Sequence, residues 1–397
     1  LAVGQRPLIP WWGVPLRLAS AVAVSAYVHA AYRIRSWGWL EAGRGPSLLI
    51  SNHQVELDLM GPMATLTLHG GWHKPVITAS AKLMYEPGFM AVRIPWLWRV
   101  MKNVNFGWLF EGMGMLPLEN ELQSRSIARW AWSAQRRHGV LPLAELFKPG
   151  VLEKTGFGAC NTDDLFSGKH FKKAQDTYVR LSDLNVQYRK EAFDEMKAGV
   201  EADLERIEGA LKKGATFYVT PEGEYTKTGA MLPFRGVWDR LLPYADHVFA
   251  AAISYDPFIG RRLSQLYRVL EVRGTQTAIA ELKAARPVTT SALVAEWLTS
   301  RSGSFTEDEV ASAMRARVVS LPHDLFLDPE LARDPGGMAR KAVRRLAQLG
   351  ILRRSGDRFE LSDRRTHPNF PGVEDIVVFQ ARFFGETLEG LQARASA

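Results

Sequence analysis

Ser47-Leu48-Leu49-Ile50-Ser51-Asn52-His53-Gln54-Val55-Glu56-Leu57-Asp58 is the stretch whose reading decides the fold. Its first part is a short apolar run, the pattern of a strand buried on both faces. The run stops at Asn52-His53, where the chain turns polar. Asp58 lies five residues after His53, and an apolar, helix-like segment continues over residues 57–68. A histidine at the C-terminal end of a strand, with a carboxylate at the start of the next helix, suits a general base and the group that orients it. The imidazole titrates near neutrality and can take a proton from an alcohol. The carboxylate holds one tautomer and stabilises the imidazolium as it forms. On spacing alone the plainer reading is a turn histidine bonded to backbone. The same spacing recurs at His323 and Asp328. That copy follows Ser-Leu-Pro rather than an apolar strand, and nothing after it reads as a helix cap, so it is taken as coincidence.

A chain of 397 residues has room for two domains and a sizeable core. With 46% hydrophobic and 23% charged residues it reads as globular. One cysteine, Cys160, excludes an intramolecular disulfide and a cysteine-rich metal site. No metal ligand set stands out. The 12 tryptophans fall partly in clusters, at Trp11-Trp12, Trp37-Gly38-Trp39, Trp96-Leu97-Trp98 and Phe106-Gly107-Trp108. Such clusters fit a membrane interface or ordinary core packing. The net charge is +8, yet residues 287–397 balance 15 basic against 15 acidic side chains. The whole surplus therefore lies in the first 286 residues, where it suits a lipid headgroup surface, a phosphate-bearing substrate or an acidic carrier protein.

Residues 1–14 are rich in Pro and Trp and irregular. Residues 15–34 predict an interfacial or core helix, because the charge-free run of about 15 residues is short for a bilayer. It lacks the signature of a signal peptide. Strands are predicted at 75–80, 215–220, 248–255 and 266–272, with a Gly-punctuated short strand at 112–120. Helical spacing covers 124–138. Residues 139–171 show no periodicity and read as an insertion or lid, and 171–213 as a long charged helix or hairpin. The strand at 215–220 ends in Pro221-Glu222-Gly223, a common setting for a ligand-contacting carboxylate in α/β folds. Strands separated by helices imply an α/β domain with a mixed, largely parallel sheet flanked by helices. After residue 286 the pattern changes to helices at 289–300 and 338–349, a capping box at Thr306 and Glu309, and two short strands around Ser355-Gly356-Asp357. That is the outline of a small winged-helix-like C-terminal domain. The boundaries are 1–44 for a membrane-associating segment, 45–286 for the main domain with an inserted region at 139–213, and 287–397 for the last domain.

Taken in order, Asn52-His53-x4-Asp58, Lys82-Leu83 followed by Phe106-Gly107-Trp108, Gly114-Met115-Leu116-Pro117-Leu118, Pro221-Glu222-Gly223 and Phe249-Ala250-Ala251-Ala252-Ile253 resemble the four blocks of the glycerolipid acyltransferase family, the glycerol-3-phosphate and 1-acylglycerol-3-phosphate acyltransferase type. The resemblance spans roughly residues 45–275. It implies transfer of an acyl group from acyl-CoA or acyl carrier protein to a lipid hydroxyl, with no cofactor, by a cytoplasmic protein peripheral on the inner face of the cell membrane. His53 would be the general base and Asp58 its orienting partner. Asn52, Gly114, Leu116, Pro117, Asn120, Pro221, Glu222 and Gly223 would bind or shape the acceptor site.

Two positions depart from the pattern. Asn120 and Tyr225 stand where the family carries phosphate-facing arginines, and Glu224 adds a negative charge. Lys227, Arg235, Arg125 or Arg129 are the candidates to replace those arginines. Rival readings are a DNA-binding or regulatory winged helix, a non-catalytic membrane scaffold, and a thioester hydrolase. The neutral C-terminal region argues against nucleic acid as a partner.

Overall fold

The computed structural model describes residues 9–38, 45–55, 58, 60–68, 76–85, 104–118, 124–166, 170–223, 225–234, 236–272 and 277–396. The strands in chain order are β1 (Tyr32–Trp37), β2 (Ser47–Ser51), β3 (Val76–Ala81), β4 (Met115–Leu118), β5 (Ser124–Ser126), β6 (Tyr178–Arg180), β7 (Thr216–Val219), β8 (His247–Asp256), β9 (Leu263–Glu271), β10 (Phe305–Thr306), β11 (Leu352–Ser355) and β12 (Arg358–Leu361). The chain forms two compact units, one with Val14–Thr78 and Ala210–Ala397, the other with Ile9–Gly13 and Ala79–Gly209.

In the first unit, six consecutive strands of a seven-stranded mixed sheet run in the order β1-β9-β8-β2-β7-β3. β2 is parallel to both β7 and β8, and β3 is parallel to β7. β9 runs antiparallel to β8, and β1 runs parallel to β9. The fold class is thus α/β with a mostly parallel sheet. β2 lies in the middle, which is why its apolar run shows no alternation: all five residues are buried. Each of Leu48, Leu49 and Ile50 contributes about 1.5–3 kcal/mol by leaving water. The flanking serines are satisfied sideways. Ser47 Oγ meets Thr216 Oγ1 at 3.0 Å, and Ser51 Oγ meets the Tyr218 hydroxyl at 2.8 Å. The parallel strands all deliver their C-terminal ends to one edge of the sheet, and the loops after β2 and β7 meet there.

The N-terminal helix, Gly13–Ala31, is 19 residues long and apolar enough to cross a membrane, with a mean hydropathy of 1.3. It stops at Ala31, short of the expected end at 34. Tyr32-Arg33-Ile34-Arg35-Ser36-Trp37 alternates in burial and pairs with β9, so the strand pairing overrides the helix. Asp328 is not idle either. It caps the short helix Pro329–Arg333 through the N–H of Glu330 at 3.0 Å and pairs with Arg35, so the second His-x4-Asp copy does contain a helix cap.

Helices Thr290–Thr299, Glu307–Ser320 and Pro335–Gln348 precede the hairpin β11-β12, and β10 joins it in the order β10-β12-β11. Thr306 and Glu309 form the expected capping box. These elements, with the last helix Ile376–Ser396, share the first unit and its core.

In the second unit, residues 139–171 are not structureless. Short helices Leu143–Leu146 and Pro149–Thr155 bury Leu143, Leu146, Phe147, Leu152 and Phe157 against Trp130 of the helix Ile127–His138. The segment expected as one long helix splits into Phe171–Asp176, β6 and the 27-residue helix Val186–Lys212. β6 pairs with β5, and that pairing interrupts the helix.

His367 offers a test of packing in the first unit. Its Nδ1 accepts the N–H of Asn369 at 3.2 Å, its ring meets Phe370, and burial pushes its pKa down to about 4. The unfolded chain takes up the proton first as pH falls, so stability drains away between about pH 6.5 and 4. His367→Gln keeps a donor and an acceptor but does not titrate. It should spare about 2 kcal/mol of the loss between pH 7 and 5 in denaturant melts. Equal losses in the two proteins would refute the assignment.

Candidate active site

Where β2 ends, Asn52 carries its ladder one step further. Its Nδ2 donates to the Ile253 carbonyl at 3.0 Å, and its Oδ1 accepts the Ile253 N–H at 2.8 Å. The side-chain amide imitates a peptide group toward β8, so Asn52 is committed to the scaffold. Gln54 Nε2 donates to the same Ile253 carbonyl at 2.8 Å. Residues 52 and 54 therefore pin the turn to β8, and His53 between them projects away from these anchors.

Asp58 closes that turn from the other side. Its carboxylate has no solvent exposure. Oδ2 accepts the N–H groups of Gln54 and Val55 and faces His53 Nδ1 at 3.2 Å. Oδ1 accepts the hydroxyl of Tyr255. An oxygen that takes two backbone N–H bonds is an acceptor, so Nδ1 of His53 is the donor and carries the ring proton. That leaves Nε2 as the basic nitrogen, and it has no hydrogen-bond partner among the described residues. The His53 side chain is 11% exposed, enough to be reached. The ring of Tyr225 stands edge-on to it at 5.8 Å and is partly open to solvent.

Glu222, on the turn after β7, holds the main chain of this histidine. Its Oε1 accepts the His53 N–H at 2.9 Å, and its Oε2 accepts the Leu232 N–H at 2.7 Å. Thr226 N–H donates back to the His53 carbonyl at 3.1 Å. Burial raises the Glu222 pKa, opposed by the two N–H bonds and by the positive charge of Arg286. Arg286 is itself buried, pairs with Glu386 of the last helix at 3.2 Å and lies over the Phe383 ring. Glu386 also accepts the Met231 N–H at 2.7 Å. The loop 221–232 is thus held at both ends by buried carboxylates.

The structure brings together Asn52, His53, Asp58, Pro221, Glu222 and Gly223. Gly223 turns the chain with φ +73°. Lys227 is exposed, with its methylenes beside Gly372. Gly114, Leu116 and Pro117 belong to the second unit, on the turn into β4 and on the strand itself. Arg125 and Arg129 are buried in that unit, Arg125 over the Trp130 ring. Asn120, Glu224 and Arg235 lie outside the described residues. Tyr255, Gln54 and Arg286 were not singled out from sequence. A tyrosine next to the end of a ten-residue, largely apolar strand was the one available signal. Among the described residues no group of three or more His, Cys, Asp and Glu is placed to hold a metal.

The arrangement is an oriented imidazole that can take a proton at Nε2 from a hydroxyl or from water. No protein-family model matches the chain, and a search of curated proteins finds no match.

Glu222→Ala leaves the buried His53 N–H and the partly buried Leu232 N–H without acceptors. The chain should lose about 1–3 kcal/mol of stability in denaturant melts for the buried group, and less for the other. A change under about 0.5 kcal/mol would mean that these bonds do not hold the turn.

Proposed function

We propose that this protein is an acyltransferase that moves a fatty acyl group from acyl-CoA or acyl carrier protein to a hydroxyl of a lipid acceptor. The observation that carries the reading is the His53–Asp58 pair, with Asp58 fully bonded and Nε2 of His53 left over. The order of the sequence blocks described above supplies the substrate class.

In this mechanism the acceptor hydroxyl gives its proton to Nε2 as its oxygen attacks the thioester carbonyl. A C–O bond forms and the carbonyl becomes tetrahedral. Collapse of that intermediate breaks the C–S bond, and the thiol leaves with the proton that His53 had taken. Asp58 stays a carboxylate throughout and steadies the imidazolium. The thioester is already activated, so positioning plus one base suffices.

The N-terminal helix supports work at a membrane surface. Arg17, Ala21 and Val28 form its buried stripe, Arg17 reaching Thr67 and Val28 lying near Gly61. Leu18, Val22 and Tyr27 face outward. Only a narrow stripe of this helix is packed and its outer side is apolar, which suits contact with a membrane. For the rival nucleic-acid reading, the helix Pro335–Gln348 offers a poor face, because Arg340 is paired with Asp308 at 2.9 Å and Arg344 with Glu307 at 2.8 Å.

Thiol release from long-chain acyl-CoA, with and without a lipid extract, tests the chemistry. His53→Ala should lower kcat by about 10²–10⁴-fold in a protein that remains folded, though it melts earlier for want of one donor to Asp58. Retained turnover would sink the base assignment, release without lipid would indicate hydrolysis, and no release from either donor would indicate a scaffold. Leu18→Ser with Val22→Ser should cut co-sedimentation with anionic vesicles several-fold, and unchanged binding would remove the helix from the membrane contact.

A further inference from the structure

The buried face behind Asp58 continues past the carboxylate. Tyr255 donates its hydroxyl proton to Asp58 Oδ1, and the same hydroxyl accepts from Gln265 Nε2 at 2.7 Å. Tyr255 and Gln265 are direct partners in the β8–β9 register. Both are buried, with 1% of each exposed. The direction of each bond follows from counting protons. A phenol has one, Asp58 is an acceptor, and so Gln265 must be the donor to the phenol oxygen.

We propose that Tyr255, oriented by Gln265, is a positioning residue that sets the basicity of the His53–Asp58 pair. This rests on the reading of His53 as the base. Two observations separate it from plain core packing. Gln265 leaves its Oε1 buried without a partner. An unsatisfied buried oxygen is destabilising, a penalty that a leucine at 265 would avoid. Tyr255 is also the group that meets Oδ1, the oxygen that His53 does not use. Burial and the neighbouring Asp58 push its hydroxyl well above its ordinary range, so it remains a donor at every working pH. A carboxylate that shares charge with a phenol proton attracts the imidazolium less strongly. The proton is then held loosely enough to be passed to the leaving thiol.

The titratable groups around the pair are Tyr218, whose hydroxyl donates to the Asp58 carbonyl at 3.2 Å, Tyr267 and Tyr32 near Asp58, Tyr225 beside the His53 ring, and Glu222 on the His53 N–H. Tyr255→Phe changes none of them and keeps the ring that packs on Phe370.

The test is an NMR titration of His53 in the full chain, assigned with His53→Gln, for wild type, Tyr255→Phe and Gln265→Met. Loss of the phenol donor should raise the His53 midpoint by about 0.5–1 unit, and Gln265→Met should raise it by less. Acyl transfer at pH 7 should fall several-fold in kcat with KM unchanged. A midpoint that stays within about 0.2 unit of wild type in Tyr255→Phe overturns the proposal. If that variant does not fold, Gln265→Met decides, and an unmoved midpoint there overturns it too. The titration needs no turnover. A shifted midpoint in a protein without transferase activity would leave the coupling standing and remove the acyltransferase reading. Turnover with an unmoved midpoint would do the reverse.

Discussion

A single buried carboxylate ties the first unit's centre together. Asp58 carries a charge into a place without solvent, and a charge there is tolerable only when fully bonded. Two backbone N–H groups, an imidazole and a phenol meet it. Those donors come from the turn after β2 and from the end of β8. The turn has its shape because the carboxylate sits inside it, and the imidazole has its orientation for the same reason. Backbone shape and ring orientation share one cause here, so a change to Asp58 would disturb both.

The sheet supplies the second requirement, a fixed edge against which the turn can close. Parallel strands β2, β7 and β8 end side by side, and each contributes a different grip on His53. β2 brings the residue itself. The turn after β7 brings Glu222, which holds its N–H. β8 presents the Ile253 peptide, which holds its neighbours Asn52 and Gln54. A histidine held on its N–H, its carbonyl and one ring nitrogen has little rotational freedom left. Preorganisation of this kind limits the reorganisation needed at the moment of proton transfer.

Much of this was legible from residue types. The run 47–51 announced a buried strand because every position was apolar or small, and the polar break at Asn52-His53 announced the edge. The pairing of His53 with Asp58 was one reading of a local spacing that by itself favoured a backbone-bonded turn histidine, and the order of the sequence blocks gave it its weight. What the sequence hid was mostly non-local. Tyr255 lies 197 positions from Asp58 along the chain, and Glu386 lies 100 from Arg286. No periodicity links such pairs, and only the strand order brings them together. Asn52 read as a ligand-binding residue because it neighbours the histidine, whereas its amide is consumed by β8. The strand at Tyr32–Trp37 was absorbed into the preceding helix because its partner β9 is more than 220 residues away. Within the inserted region the individual short elements were not legible, for a related reason. Helices as short as Leu143–Leu146 carry too few turns to show a period, although their leucines fill a core.

The reach of Glu386 into the loop 221–232 bears on how the protein is made. Arg286 is a buried charge whose partner arrives 100 residues later in the chain. While the ribosome has produced the sheet but not the last helix, that guanidinium lacks its ion-pair partner and has only the charge of Glu222 nearby, and the Met231 N–H lacks its Glu386 acceptor. The Glu386 bond to this loop is added last, after Glu222 can already join Leu232 to His53. A nascent chain therefore carries His53 and Asp58 well before Glu386, which completes the surroundings of that loop, has been made.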